Sequence, residues 1–143
     1  MKKTLTYLLI LIFIISCKTD DGVPDCSAVL CAAPAITINL IDDTTNENII
    51  IQDNISEESI VIKNNLENEV EFHIFESNSM LYVNRQNQTD TLEIQIDSEI
   101  VATISYDTAK PQTEECCDIG ILKNVTVEGL YHVVENNLIT IYL

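Results

Sequence analysis

Four of the five cysteines, those besides Cys17, with two histidines and several acidic and hydroxyl runs, are the side chains in this sequence from which a reactive or metal-binding centre could be assembled. Cys26, Cys31, Cys116 and Cys117 form an even set, and in an oxidising compartment an even set reads as two disulfides. A bond between the neighbours Cys116 and Cys117 would strain the planar peptide that joins them. On an extended backbone those two side chains point to opposite sides. Each should therefore find a separate partner, and the expected pairing joins Cys26 and Cys31 crosswise to Cys116 and Cys117. Zinc requires four ligands converging tetrahedrally, which adjacent cysteines of opposed direction do not supply. A redox Cys-x-x-Cys is absent.

His73 and His132, the two imidazoles, have no Cys, His or acidic partner at a ligand-like spacing and read as surface residues. A hydrolytic nucleophile is usually presented on a strained, glycine-flanked turn. No serine here stands in a Gly-x-Ser-x-Gly setting and the chain has 3 glycines, too few for a phosphate-cradling loop either. The pairs Asp42-Asp43, Glu57-Glu58 and Glu114-Glu115 fall in predicted loops, where solvated charge is the default. The run Asp42 to Glu47 offers oxygens at alternate positions, as a calcium loop does, but lacks its glycine and its bidentate twelfth residue. Glycan binding on a β-sheet relies on exposed aromatic platforms. With no Trp in the chain, Tyr82, Tyr106, Tyr131 and Tyr142 are the candidates. The expectation is a protein without catalytic residues, metal or cofactor, with calcium or a glycan as the alternative ligand.

The elements that must position these residues are strands. Ile36, Ile38 and Leu40 alternate with Thr37, Asn39 and Ile41, and period two with β-branched residues returns in 59–63, 70–74, 92–96, 100–106, 121–127, 131–134 and 139–143. Turn-forming residues separate them: Asn64-Asn65, Asn84 to Asn87, Asp97-Ser98, Gly129 and Asn136-Asn137. Two of these turns join alternating runs directly, which favours antiparallel meanders. Residues 54–58 could form one helical turn, and no stretch beyond Ile15 carries a helical stripe. The predicted fold is all-β, an antiparallel β-sandwich of about seven to nine strands, immunoglobulin-like or transthyretin-like. The missing Trp argues for a variant of the former or for the latter.

Charge narrows the partners. Against 23 acidic residues stand 7 basic ones, a net charge of −16, so neither nucleic acid nor an anionic membrane surface finds the Lys/Arg patch it needs. A hydrophobic fraction of 46% nevertheless predicts a folded chain, and its length suits a single core.

The N-terminus carries Lys2-Lys3, then Leu8 to Ile15 without a polar residue, then Ser16 and Cys17. These are the parts of a secretory signal, and the apolar run is far shorter than the ~20 residues that cross a bilayer as a helix. Ile14-Ile15-Ser16-Cys17 resembles a lipobox, and Lys18-Thr19-Asp20-Asp21 resembles the export signal of Bacteroidota surface lipoproteins. The resemblance implies cleavage before Cys17, acyl chains on Cys17, and display on the outer membrane directed by Lys18, Asp20 and Asp21. It divides the chain into a signal peptide (1–16), a lipidated tether (17–34) and a β-domain (35–143). Asp43-Thr44-Thr45, Asp90-Thr91-Leu92 and Asp107-Thr108-Ala109 resemble the O-glycosylation pattern of the same bacteria, which makes Thr44, Thr91 and Thr108 candidate acceptors and Thr44 the foremost.

Overall fold

The computed structural model describes residues 34–85, 89–109, 116 and 120–143. Among the described residues nine strands build the domain: β1 (Ala35–Ile41), β2 (Ile60–Asn64), β3 (Phe72–Ile74), β4 (Leu81–Asn84), β5 (Thr89–Ile96), β6 (Glu99–Thr108), β7 (Leu122–Val127), β8 (Tyr131–Glu135) and β9 (Leu138–Tyr142). They form two open sheets, one of five strands in the order β3-β4-β1-β9-β8 and one of four in the order β2-β5-β6-β7. The fold is all-β and sandwich-like, as the period-two pattern predicts. No described helix is long and apolar enough to cross a membrane.

The alternation of side chains decides which residues fill the core. Ile36, Ile38 and Leu40 of β1, Leu81 and Val83 of β4, and Ile139 and Ile141 of β9 are fully buried from one sheet. Ile62, Leu92, Ile94 and Ile104 meet them from the other in a single apolar cluster. Each such side chain stabilises the fold by about 1.5–3 kcal/mol relative to exposure, so the sandwich is held by its interior.

Three departures from the sequence reading have physical causes. First, β1 and β9 pair in parallel, with Thr37 opposite Leu138 and Ile41 opposite Tyr142; all other strand pairs are antiparallel. A parallel pair needs a long crossover, and here almost the whole domain supplies it. Second, the run 70–74 is split between sheets. Val70 donates its amide to Ile62 O of β2 at 2.8 Å, while Phe72 to Ile74 pair with β4. Third, Asn124 adopts φ 50° inside β7, and the register with β6 shifts by one residue there. This bulge turns Leu122, Val125 and Val127 to the core, because one extra residue reverses the facing of everything beyond it. A second shift in the β5–β6 pair leaves Ile100 59% exposed, although the alternating pattern assigns it to the core.

Among the described residues helical structure is confined to one turn, α1 (Ile49–Gln52), and a 3-10 turn over Glu57–Ser59. The first lies earlier than the predicted 54–58. It starts at Asn48, whose Oδ1 accepts from Ile50 N at 2.9 Å while its Nδ2 donates to Asn39 Oδ1 of β1 at 2.8 Å. The two-residue turn at Asp97-Ser98, with φ 50° and 71°, joins β5 to β6 as expected.

Candidate functional site

Cys17, Lys18, Asp20, Asp21, Cys26, Cys31 and Cys117 lie outside the described residues. Cys116 is disulfide-bonded. Of the three candidate glycan acceptors, Thr44 sits exposed in the turn after β1, Thr91 half-buried in β5 with Oγ1 3.0 Å from Ser105 Oγ, and Thr108 at the end of β6. The acidic run after β1 is organised by its own backbone. Asp42 Oδ1 accepts from Thr45 N at 2.7 Å and Thr44 N at 2.9 Å. The bond from Thr45 does most to hold its carboxyl below the ordinary carboxylate range, with some opposition from desolvation. Among the described residues no three His, Cys, Asp or Glu side chains converge as a metal set would. His73 is exposed on β3 with Nδ1 3.9 Å from Glu57 Oε1, and His132 Nδ1 lies 3.4 Å from Leu130 O.

A polar cluster that the sequence reading did not isolate is buried where β2 ends and β5 begins. Asp90 falls in phase with Leu92, Ile94 and Ile96 and so points inward, which is the signal that could have found it. Its Oδ1 accepts from Thr91 N at 2.8 Å and Asn65 N at 3.4 Å. Asn64 is buried beside it and accepts from Leu66 N and Asn68 N, both at 3.0 Å. Together they fasten the turn after β2. Tyr106 stands opposite Asp90 across the β5–β6 ladder and is 2% exposed, so it is no platform for a glycan, contrary to its place among the candidate tyrosines.

Burial first, and the charge of Asp90 second, push the Tyr106 hydroxyl up to about 12, with the Arg85 charge acting the other way. The fold therefore favours neutral Tyr106. That contribution is complete below the unfolded value near 10 and is lost as pH rises toward 12. Alkaline unfolding followed by circular dichroism should show a loss on the order of 1–2 kcal/mol across this window, discounted for solvent screening. Tyr106→Phe should flatten that stretch of the stability curve, and an unchanged slope would detach it from Tyr106.

The other three candidate tyrosines share the outer face of the five-stranded sheet, Tyr131 and Tyr142 in contact and Tyr82 apart from them on β4. Tyr82 faces out because Leu81 and Val83 face in, and it stands opposite Thr37 of β1. Tyr142 faces out because Ile139 and Ile141 face in, and it pairs with Tyr131. The Tyr131 and Tyr142 rings lie 5.2 Å apart at 39°, and Tyr131 is 68% exposed. Between these rows stand the polar Asn39 and Thr140, with the apolar Val133 beside Thr140 on β8. At the far edge Phe75 packs edge-on to Tyr82 at 5.8 Å, next to a shallow depression lined by His73, Ile74, Phe75, Glu76 and Ser77. None of the five strands in this sheet contains Lys or Arg.

With this geometry in view, comparison of the chain with protein-family models, with characterised proteins and with solved structures finds no match.

Proposed function

We propose that this chain is a lipid-anchored, non-enzymatic binding module of the bacterial cell envelope, which meets its partner through the outer face of the five-stranded sheet. The observation that carries the proposal is the stacking of exposed Tyr131 on half-buried Tyr142, beside the amide of Asn39 and the hydroxyl of Thr140. Aromatic rings that combine a large apolar area with a polar tip are enriched where proteins meet partners. Isolated exposed apolar residues need no explanation, but several on one face do. The lipobox-like Ile14-Ile15-Ser16-Cys17 supports anchoring by lipid on Cys17, and Lys18-Thr19-Asp20-Asp21 supports display on the outer surface. Thr44, exposed and preceded by Asp43, is the acceptor best placed for a glycan. The net charge of −16 argues against nucleic acid as partner. A glycan ligand is the second reading, favoured by the same tyrosine face.

The test uses residues 18–143, made without the signal segment and without Cys17, immobilised and exposed to detergent extract of the envelope. It is expected to retain a discrete component, and Tyr131→Ser combined with Tyr142→Ser should reduce that retention by about tenfold or more, in line with truncated aromatic anchors. Retention unaffected by both substitutions would move the binding site off this face.

A further inference from the structure

We propose that β8 is a docking edge for an extended, basic segment of a partner polypeptide, which adds to the five-stranded sheet as a sixth strand. The inference rests on the reading above and deepens it by naming the partner's chemistry.

It follows from comparing the four sheet edges. An exposed edge presents unpaired N–H and C=O groups to any passing strand, and natural proteins blunt it with lysine, proline, bulges, shortness or a covering segment. β3 is 3 residues long. β2 is covered by the segment after it, through the Lys63–Glu69 bridge and the bond from Val70 N to Ile62 O. β7 carries Lys123 and is bent by the bulge at Asn124. Among the described residues β8 has no lysine, proline, bulge or covering segment, and its one carboxylate, Glu135, stands at its end. It pairs with β9 in unbroken register over Tyr131–Glu135, and no strand lies on its other side among the described residues. Apolar side chains remain uncovered on both of its faces, Tyr131 on the outer and Val134, 36% exposed, on the inner.

The occupant is argued from charge. Exposed carboxylates stand just before and at the end of this strand, Glu128 and Glu135. Lys63 and Lys123 both belong to the opposite sheet. A second copy of this acidic chain would bring like charges together, whereas a strand bearing Lys or Arg at its ends would meet complementary ones. Alternating β-branched residues on that strand would cover Val133 on one face and Val134 on the other. Strand addition takes its affinity from main-chain hydrogen bonds and its specificity from alternate side chains.

The experiment uses residues 18–143 and synthetic nine-residue peptides of alternating Val and Thr, closed at both ends by Lys in one set and by Glu in the other. The lysine set is expected to bind about tenfold tighter at low salt, with the difference shrinking as salt rises. Binding should slow hydrogen exchange of the amides within 131–135 and not of those in β2 or β7. Glu128→Lys combined with Glu135→Lys, both on the surface and harmless to the core, should reverse the preference. Equal binding of the two sets, no added protection in 131–135, or a preference that survives the charge reversal would each overturn the proposal. So would a dimer in sedimentation that protects β8 without peptide, which would assign the edge to a second copy. Envelope capture that depends on Tyr131 and Tyr142 but leaves β8 amides unprotected would keep the binding face and remove strand addition from it.

Discussion

Cys17→Ala is expected to abolish two things at once, the acyl mass and the cleavage before residue 17, which intact-mass measurement of the wild-type protein isolated from cells should both reveal. The argument is one of lengths and free energies. Leu8 to Ile15 is too short to cross a hydrocarbon core comfortably, so in the anchoring proposed above stable attachment would come from covalent lipid. Each buried methylene contributes about 0.8 kcal/mol, and a single chain of ordinary length holds a protein only marginally. Two or three chains on one residue make release negligible, and all of them depend on the one sulfur and the amino group that cleavage exposes. The effect is therefore all-or-none. A Cys17→Ala protein with wild-type processing and wild-type retention in the outer membrane would remove the anchor from this reading, while leaving the sandwich and its tyrosine face as they are.

Local alternation is legible wherever one strand parity is uniformly apolar. Ile36, Ile38 and Leu40 are the plainest case, and they are fully buried. It is not legible where both parities are apolar, as in Tyr131, His132, Val133 and Val134. There the facing is decided by the partner strand, with His132 beside Ile141 and Val134 beside Ile139. β4 escaped the sequence reading because its four residues, Leu81 to Asn84, complete too few periods to stand out from the turn residues around them. The bulge at Asn124 leaves no trace in the alternation either, since an Asn in the left-handed region resembles any polar strand residue until the register beyond it is known. The parallel pairing of β1 with β9 joins the two ends of the domain, and turn chemistry speaks only of neighbours. For the candidate site, residue type selected the tyrosines but not their faces. Tyr106 shares the inward phase of Ala102 and Ile104, whereas Tyr82 and Tyr142 sit opposite in phase to buried neighbours, a distinction available only once each strand's buried parity is fixed.

Reduction of the disulfides is expected to lower the melting temperature by roughly 15 °C without unfolding the domain at room temperature. In the crosswise pairing the link from Cys31 to Cys116 closes a loop of about 85 residues, which restricts the unfolded chain by about 4–5 kcal/mol in the chain-entropy model, whereas a local Cys26–Cys31 ring gains far less. The described residues that border the cysteine-bearing segments lie near one another. Pro34 O accepts from Arg85 N at 2.8 Å, so the chain enters β1 beside the exit of β4. β5 begins only a few residues later, at Thr89, which hydrogen-bonds Asp107 near the end of β6. Ala109 N donates to Ile121 O at 2.8 Å and closes the base of the connection that carries Cys116. Pro34 and Ala109 therefore stand at the same end of the sandwich, an arrangement that the crosswise pairing needs. The core described above is independent of these links, which is why reduction weakens the domain without dissolving it. Peptide mapping without reductant separates the possibilities. A fragment joining residues near 26–31 to residues near 116–117 supports the clamp. Separate local rings, or a melting temperature indifferent to reductant, would mean that the tethered end of the domain is held by something other than these sulfurs.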